Sequence, residues 1–264
     1  MEVLYGLHPV EEAVRSGSRR LDCVMLARER KDERLERLAE TCQAAGVRVS
    51  LESRDHLTRM ARTDAHQGVL ALVRERAFLG IEDLLATNKS TPQHRFFLAL
   101  DGIEDPHNLG ALLRTADGAG VDGVILPERR SAPVTATVAK TSAGASEHVR
   151  IARVTNLVRS LEQMKQAHIW VLGLDERGTP DYTDFDFRTD CVLVLGREGA
   201  GLHDLVKKTC DHLLRIPMAG MVSSLNVSVA GAVVMYEAMR QRNRPAEPTP
   251  KPAAPAKPRK GLGS

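Results

Sequence analysis

Three short polar segments interrupt apolar runs in the second half of this chain: Asn108-Leu-Gly-Ala-Leu-Leu-Arg114, Leu195-Gly-Arg-Glu198-Gly-Ala-Gly, and Ile216-Pro-Met-Ala-Gly-Met-Val-Ser-Ser224-Leu-Asn226-Val-Ser228. Amides, a guanidinium, a carboxylate and hydroxyls are the groups that orient a substrate oxygen and steady charge developing on it. Each segment follows a run that reads as a strand, and the first and third open a helix. Ligands of open α/β sheets bind in the crevice at the carboxyl ends of strands, so three such ends describe one site.

Each residue also has a plainer reading. Asn108 suits a helix N-cap, Arg114 suits a solvent-facing helix position paired with Asp117, and Glu198 suits a charge near a helix's positive end. Gly196, Gly199 and Gly201 would let backbone amides come close to a ligand. Ser224, Ser228 and Gly231 recur at helical spacing and would make a stripe of small residues that admits another backbone. Spacing alone leaves these alternatives open. The polar Ser-Ser-Leu-Asn lead into so apolar a helix nevertheless fits a cradle for a flat, partly apolar cofactor. A second motif, Gly118-Ala-Gly120-Val-Asp-Gly123, matches the dinucleotide fingerprint in the wrong context. A helix pattern precedes it and a strand follows, so it reads as a helix stop.

The elements that must hold these residues alternate. Strands are expected at 96–100, 123–126, 148–152, 169–174, 191–195 and 213–216, and helices at 109–117, 134–143, 156–167, 202–209 and 225–240. That order predicts a mostly parallel sheet covered on both faces. Residues 1–76 read as a separate small α/β domain, with a helix from His8-Pro9, strands at 21–27, 47–51 and 69–73, and a helix over 32–45. Residues 77–95, with Gly80 and Thr87-Asn-Lys-Ser-Thr-Pro92, read as a linker. The second domain then spans 96–242.

The chain has 264 residues, 42% of them hydrophobic, enough for two modest cores. There is no stretch of apolar residues long enough to span a membrane and no secretory pattern at the start, so a cytoplasmic location is expected. Four scattered cysteines, Cys23, Cys42, Cys191 and Cys210, contain no Cys-x-x-Cys pair, which argues for reduced thiols and against a metal site. The net charge of +3 is unevenly placed: residues 240–264 carry seven Lys/Arg against one Asp/Glu, leaving about −3 for the rest. That end also holds six of thirteen prolines; residues 243–264 are expected to be a disordered basic Pro/Ala/Lys tail, open to a polyanion such as RNA or simply solubilising.

Asn-x-Gly-Ala-x-x-Arg-Thr-Ala, Leu-Gly-x-Glu-Gly-x-Gly and Ile-Pro-Met…Ser-Leu-Asn-Val-Ser resemble, in order and spacing, the three motifs of the SpoU (TrmH-like) RNA ribose 2′-O-methyltransferases. Tyr5-Gly-Leu-His-Pro-Val-Glu-Glu-Ala13 and His66-Gln-Gly-Val69 are similar to the substrate-binding domain of the branch that methylates a guanosine ribose of 23S rRNA in the peptidyl-transferase region. The resemblance implies a C-terminal α/β methyltransferase domain with a trefoil knot and a small N-terminal domain like a ribosomal-protein RNA-binding module. It implies S-adenosylmethionine as cofactor, 23S rRNA or a large-subunit precursor as partner, no metal, and a homodimer whose active site draws on both subunits.

By motif position it implies a catalytic set of Asn108, Arg114, Glu198, Ser224 and Ser228, and cofactor contacts at Leu195, Gly196, Ile216, Met218, Leu225 and Asn226. An arginine base is chemically awkward, because a guanidinium stays protonated in proteins. Arg114 therefore reads as a clamp on an adjacent phosphate that also steadies oxyanion charge. Related activities on tRNA or on an rRNA adenosine, and a noncatalytic RNA-binding assembly role, are the alternatives. The N-terminal domain weighs against tRNA, and the intact Asn108, Arg114 and Glu198 weigh against a noncatalytic role.

Overall fold

The computed structural model describes residues 1–30, 32–86 and 94–244. The expected linker stretch 87–92 and almost all of the expected tail therefore lie outside the described residues.

The first unit is a four-stranded sheet in the order β1-β4-β2-β3, formed by β1 (Glu2–Tyr5), β2 (Leu21–Ala27), β3 (Val49–Glu52) and β4 (Val69–Val73). α1 (Leu7–Ser16) and α2 (Glu33–Ala44) supply Val10, Ala13, Leu35 and Leu38 to the core on one face. α3 (Arg54–Ala61) sends Leu57 into a smaller cluster with Leu70. Asp32 and Ser53 cap α2 and α3 by accepting backbone N–H bonds, as short polar side chains do at N-caps. β1 and α3 were not anticipated: β1 has only four residues, and α3 buries Leu57 alone.

The second unit is a six-stranded parallel sheet in the order β10-β8-β9-β5-β6-β7. Its strands are β5 (Phe96–Leu100), β6 (Gly123–Pro127), β7 (Ile151–Val154), β8 (Trp170–Leu174), β9 (Cys191–Leu195) and β10 (His212–Leu214). β5 and β9 are buried at every position, the near-continuous apolar run that a sheet covered on both faces requires. α5 (Pro106–Gly118) and α9 (Val227–Arg242) cover one face through Leu109, Leu112, Val234 and Met235. α7 (Leu157–Gln166) and α8 (Asp204–Thr209) cover the other through Leu161, Met164 and Val206.

Two expected segments take a different form. α4 (Ile81–Leu85) occupies part of the stretch expected to be a linker, because Ile81 and Leu84 bury themselves beside Phe97 in the second unit. The strand expected from residue 148 begins at Ile151, because Ala145–Glu147 form a buried 3-10 turn. The glycines at 118–123 behave as a helix stop: Gly120 takes φ +70°, its N–H bonds to Asp117, and Gly123 opens β6.

The units meet through α6 (Ala136–Thr141) and that 3-10 turn. Ala139 joins the core of the first unit. The Arg19 guanidinium grips both oxygens of fully buried Glu147, at 2.9 and 2.7 Å, and Arg76 approaches the same carboxylate at 3.0 Å. α6 in turn lies tightly on α5, where a Cβ on Gly110 would stand 2.5 Å from Thr141 Cβ.

Candidate functional site

The strand order reverses between β5 and β9. From β5 the chain builds outward through β6 and β7, and later elements fill the other side. That is the switch point at which doubly wound sheets open a crevice, and both polar motifs sit at its rim. Asp101 N–H bonds to Leu195 O at 2.8 Å and holds the two strand ends together.

After β9 the chain turns back on itself. Arg197 and Gly201 exchange two backbone bonds of 3.0 Å, with Gly199 and Gly201 at φ +71° and +64°. Gly196 is required for packing: a Cβ there would lie 2.3 Å from Gly201 C and 2.4 Å from Leu202 N. Its close approach is thus to its own loop, whereas the sequence suggested approach to a ligand. This loop and the segment after β10 enclose a cleft of about 390 Å³, within the size range of cofactor sites. Leu195, Gly196, Glu198, Ile216, Met218, Ser224 and Leu225 all line it.

Asp105 caps α5 by accepting the N–H groups of His107 and Asn108. Asn108 is therefore not the cap suggested by its residue type. It lies inside the first turn, 8% exposed, and its side chain is free for other work. Its amide donates to Glu198 Oε2 at 3.2 Å and its oxygen accepts from Asn226 Nδ2 at 3.1 Å. Asn226 also donates to Glu198 Oε1, while its own oxygen caps α9 by accepting Ser228 N–H at 2.9 Å and Ser228 Oγ–H at 2.6 Å. Four residues from three motifs thus form one hydrogen-bonded set.

Two expected placements differ. Ser224 precedes α9, which starts at Val227, so it lines the cleft without sharing a helical stripe with Ser228 and Gly231. Gly231 does mark a close approach, since a Cβ there would meet Leu195 Cδ1 at 2.6 Å and Leu112 Cδ2 at 2.7 Å. Arg114 stands apart from the set. Six residues beyond Asn108 places it about 120° around the helix; it is exposed and makes no hydrogen bond or ion pair with a described residue, Asp117 included.

Sequence reasoning missed one wall of the cleft, the turn after β8. Asp175 receives Lys207 Nζ at 2.6 Å and Arg177 N–H at 2.9 Å. Burial raises its pKa, yet these donors outweigh burial and hold the carboxyl below its usual range. The signal was the one used elsewhere, a polar residue directly after an apolar strand. The cysteines are free thiols, and burial pushes Cys42 up to about 11 and Cys191 to about 12. Among the described residues no His/Cys/Asp/Glu group could hold a metal, and no helix is long and apolar enough to cross a membrane.

A parallel α/β sheet with a glycine-looped cleft at its switch point, rimmed by an interlocked Asn-Glu-Asn set, is the architecture of an α/β methyltransferase of the SPOUT class, which its structural neighbours share. The chain belongs to the SpoU rRNA methylase family, whose profile matches residues 95–236, and a second profile, RNA 2′-O ribose methyltransferase substrate binding, matches residues 3–79. It is 44% identical to the 23S rRNA (guanosine-2′-O-)-methyltransferase RlmB of Pseudomonas aeruginosa, over 91% of this chain and 97% of that protein. It is 42% identical to the RlmB of Ralstonia nicotianae, over 92% of this chain and 96% of that protein. The crystal structure of the SpoU methyltransferase AviRb from Streptomyces viridochromogenes in complex with AdoMet superposes with a TM-score of 0.76 at 26% identity, covering 91% of this chain and 90% of that one.

Proposed function

We propose that the protein methylates the ribose 2′-OH of a specific guanosine in 23S rRNA, with S-adenosylmethionine as donor, as a homodimer in the cytoplasm. The observation that carries this reading is the fastening of Asn108, Glu198 and Asn226 to one another at the mouth of the cleft. The similarity to guanosine 2′-O-methyltransferases over both units supports the substrate. An S-adenosylmethionine in this cleft would supply an electrophilic methyl carbon on sulfonium. The cleft suits it: Leu195, Ile216, Met218 and Leu225 offer apolar wall, Gly196 and its loop offer backbone, and the Asp175–Lys207 pair offers charge at one side.

The chain's own residues orient the acceptor. Glu198 spends lone pairs on two amide donors, and a carboxylate has capacity left for a ribose hydroxyl. Asn108 and Asn226 fix that carboxylate from opposite helices, so alignment is built before substrate arrives, and alignment is a large part of the barrier to a two-substrate transfer. Ser224 at the rim and Ser228 beside Asn226 add hydroxyls. Arg114 acts as a cationic clamp on an adjacent phosphate and steadies the negative charge that develops on the ribose oxygen as its proton passes to that phosphate or to water.

Arg114 also argues for the dimer. It is exposed and unpartnered among the described residues on α5, the helix that packs on α9, and the stretch leading into and along α9 exposes an apolar strip of Met221, Val222, Leu225, Val229 and Tyr236. Val229 and Tyr236 are seven apart on α9 and share a face. A second copy covering this strip would bury it and bring one Arg114 toward the partner's cleft.

The test is to map ribose methylation on ribosomes from a strain lacking the gene, complemented with wild type or Arg114→Ala. Wild type should restore methylation at one guanosine and Arg114→Ala should not. Restoration by both would refute the assignment.

A further inference from the structure

Arg197 is the one pocket-lining cation whose side chain the fold leaves unanswered among the described residues near the polar set. Its backbone closes the loop against Gly201, and its side chain is laid across Gly102. A Cβ on Gly102 would stand 2.7 Å from Arg197 Cγ and 3.0 Å from Cδ. Gly102 adopts φ +81°, so both its backbone and its lack of a side chain suit it to be the groove for this stem. The path of Arg197 is therefore dictated by the fold.

What lies at the end of that path is a guanidinium with no hydrogen bond or ion pair to any described residue. Its Nε is shut off from solvent and has no acceptor. Arg76 and Arg242 also have an unpaired buried Nε, but the fold answers their guanidinium groups elsewhere. Arg76 pairs with Glu147, and Arg242 donates to the carbonyls of His94, Arg95 and Thr189. Buried donors without acceptors cost free energy, and native structures seldom leave them so. Nearby carboxylates are already committed: Asp101 to His203 N and Nδ1, Glu198 to Asn108 and Asn226, and Asp175 to Lys207. The terminal nitrogens of Arg197 are not sealed as Nε is and have no partner among the described residues, so they are the ones open to an acceptor from outside the chain.

We propose that Arg197 anchors a backbone phosphate of the RNA beside the target nucleotide. This rests on the methyltransferase reading and adds a substrate contact to it. A planar guanidinium fork matches two phosphate oxygens, and the stem runs over the loop that leads from β5 to Asn108. That places Arg197 with the residues assigned to the acceptor rather than with Ile216, Met218 and Leu225 on the donor wall. Together with Arg114, it would hold the sugar-phosphate backbone at two points and fix where the hydroxyl lies.

The experiment compares full-length wild type, Arg197→Gln and Arg197→Lys. RNA affinity is measured over a salt series with a transcript of the peptidyl-transferase region of 23S rRNA, and S-adenosylmethionine affinity is measured by calorimetry. Arg197→Gln should weaken RNA binding about tenfold or more, as loss of a charged hydrogen bond does, and should flatten the plot of log affinity against log salt by about 0.7 to 0.9. Donor affinity should be unchanged. Arg197→Lys should restore the salt slope but only part of the affinity, because it keeps the charge without the fork. Wild-type RNA affinity and slope in Arg197→Gln would overturn the proposal, as would lost donor affinity with intact RNA binding, which would assign Arg197 to the donor's carboxylate. If wild type takes up donor but neither binds nor methylates the transcript, the underlying reading falls as well, a result distinct from any variant difference.

Discussion

The side-chain amide of Asn226 donates to Asn108 Oδ1 at 3.1 Å, so the residue that caps α9 also fastens the first turn of α5. The same nitrogen reaches Glu198 on the loop after β9. One amide therefore ties together three chain segments that each carry part of the site. Asn226→Asp keeps an acceptor for the cap but removes the donor and sets a second carboxylate against Glu198. Methyl transfer in a single-turnover assay should fall roughly tenfold to a hundredfold, the range expected for a charged hydrogen bond worth about 1.5–3 kcal/mol. Asn226→Ala should also lose about 1 kcal/mol of stability with the cap, read from denaturant unfolding.

Gly196→Ala tests the loop. With Gly201 and Leu202 backbone atoms 2.3 and 2.4 Å from the new carbon, the loop must shift outward and the cleft change shape. Donor affinity by calorimetry should drop at least tenfold, roughly 1.4 kcal/mol. Retained far-ultraviolet circular dichroism would show that the sheet persists.

Arg114→Ala and Glu198→Gln should each be inactive alone. In a two-fold dimer whose sites each combine Arg114 of one subunit with Glu198 of the other, half of the randomly mixed dimers regain one intact site. About a quarter of wild-type activity should then return on mixing. A mixture as inactive as its parts would show that each site is built from one subunit.

Glu147→Gln strips a buried pair of guanidinium groups of their shared anion. Breaking a buried ion pair from one side costs roughly 3–5 kcal/mol. The melting temperature should fall by several degrees, and calorimetry should resolve separate transitions for the two units as their interface weakens.

His66 is fully buried, with Nδ1 accepting Gly68 N–H at 3.1 Å and Nε2 3.0 Å from Thr58 Oγ1. Burial, and then the positive charge of Arg54, depress its pKa below the usual 6.5. The unfolded chain takes up the proton more readily, so this stabilisation is complete above about pH 6.5 and is lost as pH falls through the folded value. Unfolding free energy measured from pH 8 to 5 should decline on the acid side, and His66→Gln should flatten that decline.

Sequence periodicity located the second sheet because its strands are nearly uniform apolar runs between amphipathic helices, and a pattern that strong leaves little choice. It also pointed to the polar set that the structure fastens together, since Asn108, Glu198 and Asn226 stand where a core should be apolar. Elements of four to eight residues with one buried side chain, such as β1 and α3, left no comparable trace. The cap of α5 went to Asp105 because Pro106 favours the first helical position, a contest that residue type at 108 could not decide. Which polar residues touch was decided only by folding. Asn108 and Asn226 lie 118 positions apart, and it takes the close packing of α9 on α5 at Gly231 to bring them within hydrogen-bonding reach. The same packing turns Arg114 outward, away from the residues its motif predicts it serves. Residue types thus fixed what the site is made of, while their assembly depended on how two helices cross one face of a sheet, because contact between distant segments is set by packing and not by local order.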